Sequence, residues 1–251
     1  MRTNHPLFAV ILFAVSFTAA AKEMAVKGAD FRACPRFFVN GTPPRIPNEP
    51  FWMPRALCYE SFGVLHSGTT KTPLFVAERL NRADLAVDTR AGLPDRFFAD
   101  TRLPRVERGR LEDYRGSGFA PGRLAPTATR AKKRTAAQSF SMATIVPQAQ
   151  QNNRNAWAEI EMATRQYAMR AAGDVFVISG PVFESGSQTI GPGKVRVPKY
   201  FYKLVYDPAS GRAWAHWLEN VEQARVAQQI SYGELVERTG IQFLPGVEVH
   251  G

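Results

Sequence analysis

Short segments rich in β-branched and aromatic residues recur along the chain, each bounded by turn residues. Residues 58–66 and 74–80 are two such segments, and Ser67-Gly68-Thr69-Thr70-Lys71 between them is typical of a hairpin turn. The pattern recurs at residues 174–181, 195–206 and 212–218, and residues 207–211 form a turn between the last two segments. The chain therefore predicts strands that pair in a mainly antiparallel sheet.

Two segments have the composition of helices. Residues 153–172 are rich in Ala, Glu, Arg, Met and Gln, with apolar residues at helical spacing. A shorter helix is predicted over residues 231–238, beginning at a Ser cap and ending at Thr239-Gly240. Strands together with one long helix indicate an α+β fold with a mainly antiparallel central sheet.

The first 21 residues differ from the rest of the chain. Arg2 precedes an apolar run from Pro6 to Phe17, and the small residues that signal peptidase reads follow at 18–21. The run is too short to span a membrane, which takes about 20 apolar residues. We interpret residues 1–21 as a signal peptide and expect an exported protein, periplasmic or secreted, that begins near Lys22.

Residues 22–251 are interpreted as a single domain, because no Ser/Gly-rich linker divides them. The formal net charge of the whole chain is +10, and the signal segment contributes only Arg2, so the mature charge is +9 (10 minus 1). A positive field of this kind attracts polyanions or acidic surfaces.

The only cysteines, Cys34 and Cys58, both lie in the exported part, where an oxidising compartment favours pairing. A disulfide would tie the proline-rich entry segment to the first predicted strand and stabilise the fold by about 3 kcal/mol. The alternative is a catalytic thiol, but no His stands in a recognisable Cys/His arrangement. Two cysteines are also too few for a usual zinc site.

The most informative motif is Tyr-Arg-Gly-Ser-Gly-Phe-Ala-Pro-Gly-Arg-Leu-Ala-Pro at residues 114–126, followed by Asn-Arg-Asn-Ala-Trp-Ala-Glu-Ile-Glu-Met-Ala-Thr-Arg at residues 153–165. Together they resemble the DNA/RNA non-specific endonucleases, the ββα-metal nucleases. In that family Tyr-Arg-Gly-Ser-Gly-Tyr runs into Asp-Arg-Gly-His and then Leu-Ala-Pro. Here the tetrad reads Ala120-Pro121-Gly122-Arg123.

The resemblance implies a metal site on the predicted long helix. Asn153, Glu161 and Arg165 match the Asn that binds a hydrated Mg²⁺, the Glu that orients its waters and an Arg that holds phosphate. Steps of four residues through Trp157 keep these side chains on one broad helix face. Mg²⁺ prefers oxygen ligands and keeps several waters, so one carbonyl oxygen and a nearby carboxylate can suffice.

An ordinary helix surface is the alternative, in which Glu161 and Arg165 form an exposed pair and Asn153 caps the helix. Two observations favour the site. Pro147-Gln148 lies upstream at the family's spacing, and Arg79 stands where relatives keep another phosphate-binding Arg.

The chain departs from the family at the site itself. Arg123 holds the place of the histidine that takes a proton from the attacking water, and a guanidinium has no acceptor and stays protonated. Ala120 and Pro121 replace the Asp and Arg of the motif, and Thr144 stands where the family usually has an Asn near the metal. Loss of a general base alone costs about 10²- to 10⁴-fold, so the combined losses leave little hydrolysis.

None of the remaining histidines is a convincing substitute base. His66 and His216 lie on predicted strands and are interpreted as structural, and His250 lies in a C-terminus expected to fray. Arg123 can still contact nucleic acid, because a guanidinium donates two hydrogen bonds to one phosphate group. The basic run Arg130-Ala131-Lys132-Lys133-Arg134 is either a further phosphate contact or solvated surface.

Three functions follow from these patterns. The leading hypothesis is an exported protein that binds DNA or RNA through Arg79, Arg123 and Arg165, holds Mg²⁺ through Asn153 and hydrolyses weakly or not at all. The second is an active Mg-dependent endonuclease with a substitute for the histidine. The third is an interaction module for an envelope or secretion-system partner, because a fold alone does not fix a function.

Overall fold

The computed structural model of the protein describes residues 30–86, 96–125, 137–224 and 228–250. The predicted signal peptide and the basic run at residues 130–134 lie outside the described residues. The strands are β1 (Pro54–Cys58), β2 (Phe62–Ser67), β3 (Thr72–Leu80), β4 (Phe119–Arg123), β5 (Ile145–Ala149), β6 (Val175–Val182), β7 (Thr189–Ile190), β8 (Val195–Arg196), β9 (Tyr200–Asp207), β10 (Arg212–Glu219) and β11 (Gln228–Ser231). The helices are α1 (Arg82–Leu85), α2 (Gln150–Arg154), α3 (Ala156–Arg170) and α4 (Tyr232–Thr239).

The central element is a seven-stranded sheet in the order β1-β2-β3-β6-β9-β10-β11, and every neighbouring pair in it is antiparallel. β4 pairs with β5, and β7 pairs with β8, in two smaller sheets. The predicted hairpin turns connect β2 to β3 and β9 to β10. The α+β class and the mainly antiparallel sheet are therefore confirmed.

The segment predicted as one strand over residues 195–206 is divided in the structure. β8 ends at Arg196 and β9 begins at Tyr200. Pro198 lies between them and cannot donate a hydrogen bond to a strand ladder. Its carbonyl accepts a hydrogen bond of 2.9 Å from Asn220 Nδ2 instead.

The predicted helix over residues 153–172 is also divided, so the prediction of one continuous helix is wrong. Asn155 has φ −109° and ψ −86°, outside the helical region, and separates α2 from α3. The carboxylate of Glu222 accepts the N–H groups of Gln150 and Gln151, each at 2.8 Å, which fixes the start of α2. Asn153 therefore lies on α2, whereas Glu161 and Arg165 lie on α3.

Alternating side chains give the central sheet two apolar faces. One face packs against the entry segment at residues 31–38 and against α4. On the opposite face, Val76 and Phe201 belong to one core cluster with Trp157 and Ile160 of α3. The sheet thus separates a face that holds the entry segment from a face that carries α3.

The predicted disulfide between Cys34 and Cys58 is present, with 5.7 Å between the two Cα atoms. It joins the entry segment to the end of β1. Cys34 is fully buried in the core on the entry-segment face.

The C-terminal part of the chain is ordered by backbone contacts. α4 begins at Ser231, whose Oγ accepts the N–H of Glu234 at 3.1 Å, and it ends at Gly240 with φ +68°, as predicted. The prediction of a frayed end at His250 is wrong, because its N–H donates to Gly211 O at 2.8 Å. Across the described ranges, no helix has the length and apolar composition needed to cross a membrane.

Candidate functional site

A row of polar side chains crosses the sheet beneath α3. Lys203 on β9 pairs in register with Ser179 on β6 and with His216 on β10. Glu78 on β3 lies two residues beyond Val76, the register partner of Ser179, so it emerges on the same face. The strand register therefore brings Glu78, Ser179, Lys203 and His216 together on the α3 side.

Lys203 is the centre of this row. It is only 1% exposed, and its Nζ donates to Ser179 Oγ at 2.7 Å. The ammonium also lies 4.8 Å from the ring centre of Trp157, in the geometry of a cation–π contact. Burial lowers the pKa of Lys203, and the charges of Glu161 and Glu78 act in the opposite direction.

Glu161 of α3 lies next to this ammonium and is partly exposed. Its Oε1 accepts a hydrogen bond of 3.1 Å from Trp157 Nε1, one turn earlier on the same helix. Burial raises the pKa of Glu161 to about 7, and Glu78 contributes in the same direction, while Lys203 and Arg123 oppose the rise. Two carboxylates thus share one buried ammonium, which favours partial protonation of Glu161 near neutral pH.

Arg123, at the end of β4, is the second cation beside Glu161. Its guanidinium carbon lies 4.6 Å from the ring centre of Phe140, and Arg123 pairs in register with Ile145 of β5. The structure therefore brings together Arg123 and Glu161, as the sequence motif implies. When Glu161 is ionised, the charges of Glu78, Glu161, Lys203 and Arg123 balance, because two are negative and two positive.

The Pro147-Gln148 motif supports β4 from behind. Gln148 is fully buried, and a Cβ atom at Gly122 would lie 2.2 Å from its Oε1, so only glycine fits there. Gln148 Nε2 donates to Asn152 Oδ1 at 2.8 Å, and Asn152 Nδ2 donates to Glu219 O at 2.6 Å. This chain of bonds fixes α2 against β5 and β10.

Asn153 is partly exposed on α2, and its side chain makes no hydrogen bond within the described ranges. Its amide oxygen is therefore available to a cation or a ligand. The interruption at Asn155 means that Asn153 does not share a continuous helix face with Glu161, which corrects the four-residue-step prediction.

Thr144 does not take the place of the missing Asn. It is fully buried, and its Oγ1 donates to Ser139 O at 3.1 Å and to Ser141 O at 2.9 Å. Among residues with described positions, no group of three or more His, Cys, Asp or Glu side chains is arranged to hold a metal ion. The oxygen donors that remain of the predicted metal site are the Asn153 amide and the Glu161 carboxylate, which are the type of ligand that Mg²⁺ prefers.

The two remaining predicted arginines lie on different elements. Arg165 Nη2 donates to Leu85 O at 2.7 Å, at the end of α1. Arg79 follows Glu78 on β3, so its side chain leaves the opposite face of the sheet, and it forms an ion pair with Asp174 at 3.4 Å. The structure does not bring Arg79 together with Arg123 and Glu161.

Sequence reasoning missed Glu78 and Lys203. Lys203 is the single charge in the aromatic segment Tyr-Phe-Tyr-Lys-Leu-Val-Tyr, and Glu78 follows three apolar residues in Phe-Val-Ala-Glu-Arg-Leu, where Arg79 is the next residue. Such residues are almost never fully buried without a partner, so the pair is a detectable signal.

His66 is structural as predicted, since it is fully buried with Nε2 2.9 Å from Glu107 O. His216 is partly exposed, and burial and then Lys203 lower its pKa.

Sequence comparison connects this site to known nucleases. Residues 48–250 match the family described as DNA/RNA non-specific endonuclease. A mitochondrial nuclease EXOG of Danio rerio is 28% identical over 211 residues, which cover 76% of this chain and 61% of that relative. A nuclease of Nostoc sp. is 30% identical over 202 residues, covering 74% of this chain and 72% of that relative.

The chain spans only part of several of these relatives. It covers 61%, 44% and 43% of the mitochondrial EXOG nucleases of Danio rerio, Xenopus laevis and Homo sapiens. A crystal structure of an EndoG/EndoGI complex has a similar fold, with a TM-score of 0.67 and 21% identity over 75% of this chain and 84% of that chain. The predicted ββα-metal nuclease-like fold is confirmed by this similarity.

Proposed function

The chain belongs to the DNA/RNA non-specific endonuclease family, and from this premise we propose that it is an exported protein that binds DNA or RNA and hydrolyses phosphodiesters weakly or not at all. The observation that carries the proposal is the position of Arg123. Its guanidinium lies on the Phe140 ring beside Glu161, in the part of the motif where the family's general base stands. A guanidinium has no acceptor for the proton of an attacking water.

Charge compensation at the site supports the same proposal. Arg123 and Lys203 offset the charges of Glu161 and Glu78, so a metal cation meets a nearly neutral field instead of a negative one. Asn153 is the residue that would hold a hydrated Mg²⁺, and Glu161 would accept hydrogen bonds from its waters. When bound, such an ion stabilises negative charge on a phosphoryl oxygen.

The proposed binding is electrostatic and independent of sequence. Arg123 and Arg165 supply the phosphate contacts on the α3 side of the sheet. Each neutralised phosphate releases counterions, so affinity falls steeply as the salt concentration rises.

A second candidate function is an active, metal-dependent endonuclease. The observation that favours it is Glu161, whose burial raises its pKa to about 7, together with the available amide oxygen of Asn153. A carboxylate with a pKa near the working pH is suited to accept a proton from water. In this alternative Glu161 replaces the missing histidine.

One gel experiment separates the two functions. The purified protein is incubated with supercoiled plasmid in Mg²⁺ or chelator across a salt series, beside Asn153→Ala and Arg123→His. Retarded migration without nicking, weakening as salt rises, supports the binding protein. Chelator-sensitive nicking that disappears in Asn153→Ala establishes the nuclease, whereas nicking that Asn153→Ala leaves unchanged indicates a contaminant. Absence of both retardation and nicking overturns the proposal.

Export and a protein partner are further parts of the proposal. The signal-like residues 1–21 support export, and N-terminal sequencing of the protein from cell fractions tests it. An envelope or secretion-system partner stays a prediction, and co-purification from envelope extracts is its test.

A further inference from the structure

A cationic cavity of about 540 Å³ lies beside the Arg123 site and belongs to none of the predicted motifs. We name it the arginine pocket, and four of the residues that line it are Arg96, Arg105, Arg108 and Arg110. Its volume is within the range of about 300–1,000 Å³ typical of ligand sites. Glu112 is the one acidic residue among the described lining residues.

Three acidic residues of the loop that carries these arginines are buried beneath it. Asp100 accepts hydrogen bonds from Tyr59 and Arg102, at 2.6 Å each, and Glu107 binds Arg55 through two bonds of 2.7 and 2.9 Å. Asp113 accepts the N–H of Arg110 at 2.9 Å. All three acids are buried, so the loop is fixed from within before any ligand arrives.

The arginines of the pocket keep their charge available. Arg96, Arg105 and Arg110 are exposed, and no carboxylate in the described ranges pairs with them. Arg108 donates to Leu103 O at 2.7 Å and to Thr101 O at 3.1 Å, so its guanidinium is held by carbonyl groups that do not neutralise it. The pocket is therefore a preorganised cluster of positive charge, which suits a ligand with several phosphates.

An aromatic ring stands among these charges. Phe98 is 42% exposed and lines the pocket, although phenylalanine rings are usually buried. Its N–H donates to Phe140 O at 3.2 Å, and its carbonyl accepts the N–H of Met142 at 2.8 Å, so the backbone that carries the ring is fixed. Exposed aromatic rings beside arginines are the parts with which proteins bind unpaired bases.

A pair of aromatic rings lies between the pocket and Arg123. Phe97, on its wall, packs edge-on against Phe140 with 5.6 Å between ring centres, and Arg123 lies on the ring of that same Phe140. The rings of Phe140 and Phe97 thus connect Arg123 to the wall of the arginine pocket.

We infer that the arginine pocket binds a single-stranded segment of nucleic acid, with phosphates on Arg105 and Arg110 and a base stacked on Phe98. A paired base within a duplex cannot offer its face to this ring, because its neighbours in the stack cover it. The inference rests on the proposed nucleic-acid binding and deepens it by naming single strands as the preferred ligand.

The test measures binding of fluorescent oligothymidylate and of a hairpin duplex with the same number of phosphates, by anisotropy across a salt series. Phe98→Leu keeps an apolar side chain but removes the ring face, and it is expected to weaken single-strand binding about 5- to 150-fold while duplex binding is unchanged. Arg105→Ala/Arg110→Ala is expected to reduce the salt slope of single-strand binding by about 1.4, at about 0.7 per phosphate contact.

Arg32→Ala/Arg45→Ala is the matched control, because it removes two exposed arginines that precede β1 in the chain and is expected to keep the salt slope. Unfolding midpoints of all variants verify that each is folded. Equal single-strand affinity of Phe98→Leu and the wild type, or equal losses for single strand and duplex, overturns the inference and leaves the proposed function standing. Displacement by polyglutamate as effective as by unlabelled oligothymidylate also overturns it. Failure of the wild type to bind either oligonucleotide overturns the proposed function as well.

Discussion

At the scale of single residues, the site depends on a small cluster of charged side chains that lie together beneath α3. Lys203 is the one ammonium between Glu78 and Glu161, and its hydrogen bond to Ser179 leaves it oriented under α3. Removing one partner of a buried ion cluster costs far more than the cluster contributes, because the remaining charges keep their desolvation cost. The cluster therefore makes Lys203 more important for folding than an exposed lysine.

Lys203→Met is expected to destabilise the protein by about 3–5 kcal/mol, since it leaves the buried Glu78 and the partly exposed Glu161 without their ammonium. Urea unfolding at neutral pH measures the loss. Lys199→Met is the control, because Lys199 is half-exposed and pairs with the half-exposed Glu219, and its stability is expected to stay close to the wild type. Equal changes in the free energy of unfolding for the two substitutions would show that the ammonium of Lys203 does not stabilise the cluster.

Glu161 gives a pH dependence with a definite sign. Its folded-state pKa of about 7 lies above the unfolded value near 4.5, so the folded protein binds the proton more tightly. The stability that this proton contributes is complete below about pH 4.5 and is lost as the pH rises through 7. Glu161→Gln removes this loss. The free energy of unfolding of the variant, relative to that of the wild type, is therefore expected to rise by up to about 3 kcal/mol as the pH increases from 4.5 to 8.

Unfolding of wild type and Glu161→Gln across this pH range measures the difference. Glu159→Gln removes an exposed carboxylate from the same helix and controls for the loss of one negative charge. Parallel pH profiles for the wild type and Glu161→Gln would show that the Glu161 proton does not couple to folding.

At the scale of elements, α2 is held in place by side chains from the end of β10 and the segment after it. Asn220 accepts the N–H of Ala149 at 2.8 Å and donates to Pro147 O at 3.1 Å and Pro198 O at 2.9 Å. One amide thus joins the end of β5, the start of α2 and the residue that divides β8 from β9. The position of Asn153 depends on this junction.

Asn220→Ala is expected to cost about 1–3 kcal/mol, because it leaves buried backbone groups without partners. Asn153→Ala is the matched control, since the Asn153 side chain makes no hydrogen bond within the described ranges and its loss is expected to leave stability unchanged. Chemical denaturation compares the two variants. A cost for Asn153→Ala as large as that for Asn220→Ala would contradict the role of the junction.

The elements also show which features local sequence can predict. The hairpin turns, the Ser231 cap and the stop at Gly240 were predictable, because each depends on residues that are adjacent in the chain. The break at Asn155 was not predictable from the local sequence. The hydrogen bonds that fix the start of α2 come from Glu222 and Asn220, about 70 residues away along the chain. Periodicity reports which residues share a face, but not where distant side chains fix a short helix.

The candidate site also contains some residues that the sequence predicts and others that it does not. Arg123 and Glu161 were predicted to meet because a family motif contains both positions, and the structure brings them together. Lys203 was missed because its partners lie on three other strands and a helix, which only the register of the sheet aligns. Arg79 shows the reverse error, since adjacent residues of a strand face opposite sides of the sheet.

At the scale of the whole molecule, the two faces of the central sheet have separate tasks. The entry segment, the disulfide and α4 cover one face, while α3, β4 and the polar row occupy the other. The positive charge of the chain becomes effective at the second face, where Arg123 and the arginine pocket are adjacent. Stability supplied from the first face is therefore expected to be separable from binding at the second.

The disulfide offers the test of this separation. Cys34→Ala/Cys58→Ala opens a loop with a sequence separation of 24 residues and is expected to cost about 3 kcal/mol through unfolded-state entropy. The folded double variant is expected to bind plasmid with the affinity and salt dependence of the wild type, because the disulfide lies on the entry-segment face, away from Arg123 and α3. Urea unfolding measures the first effect and gel retardation below the unfolding midpoint the second. Weaker binding by fully folded variant protein would show that the entry segment shapes the nucleic-acid site through the sheet.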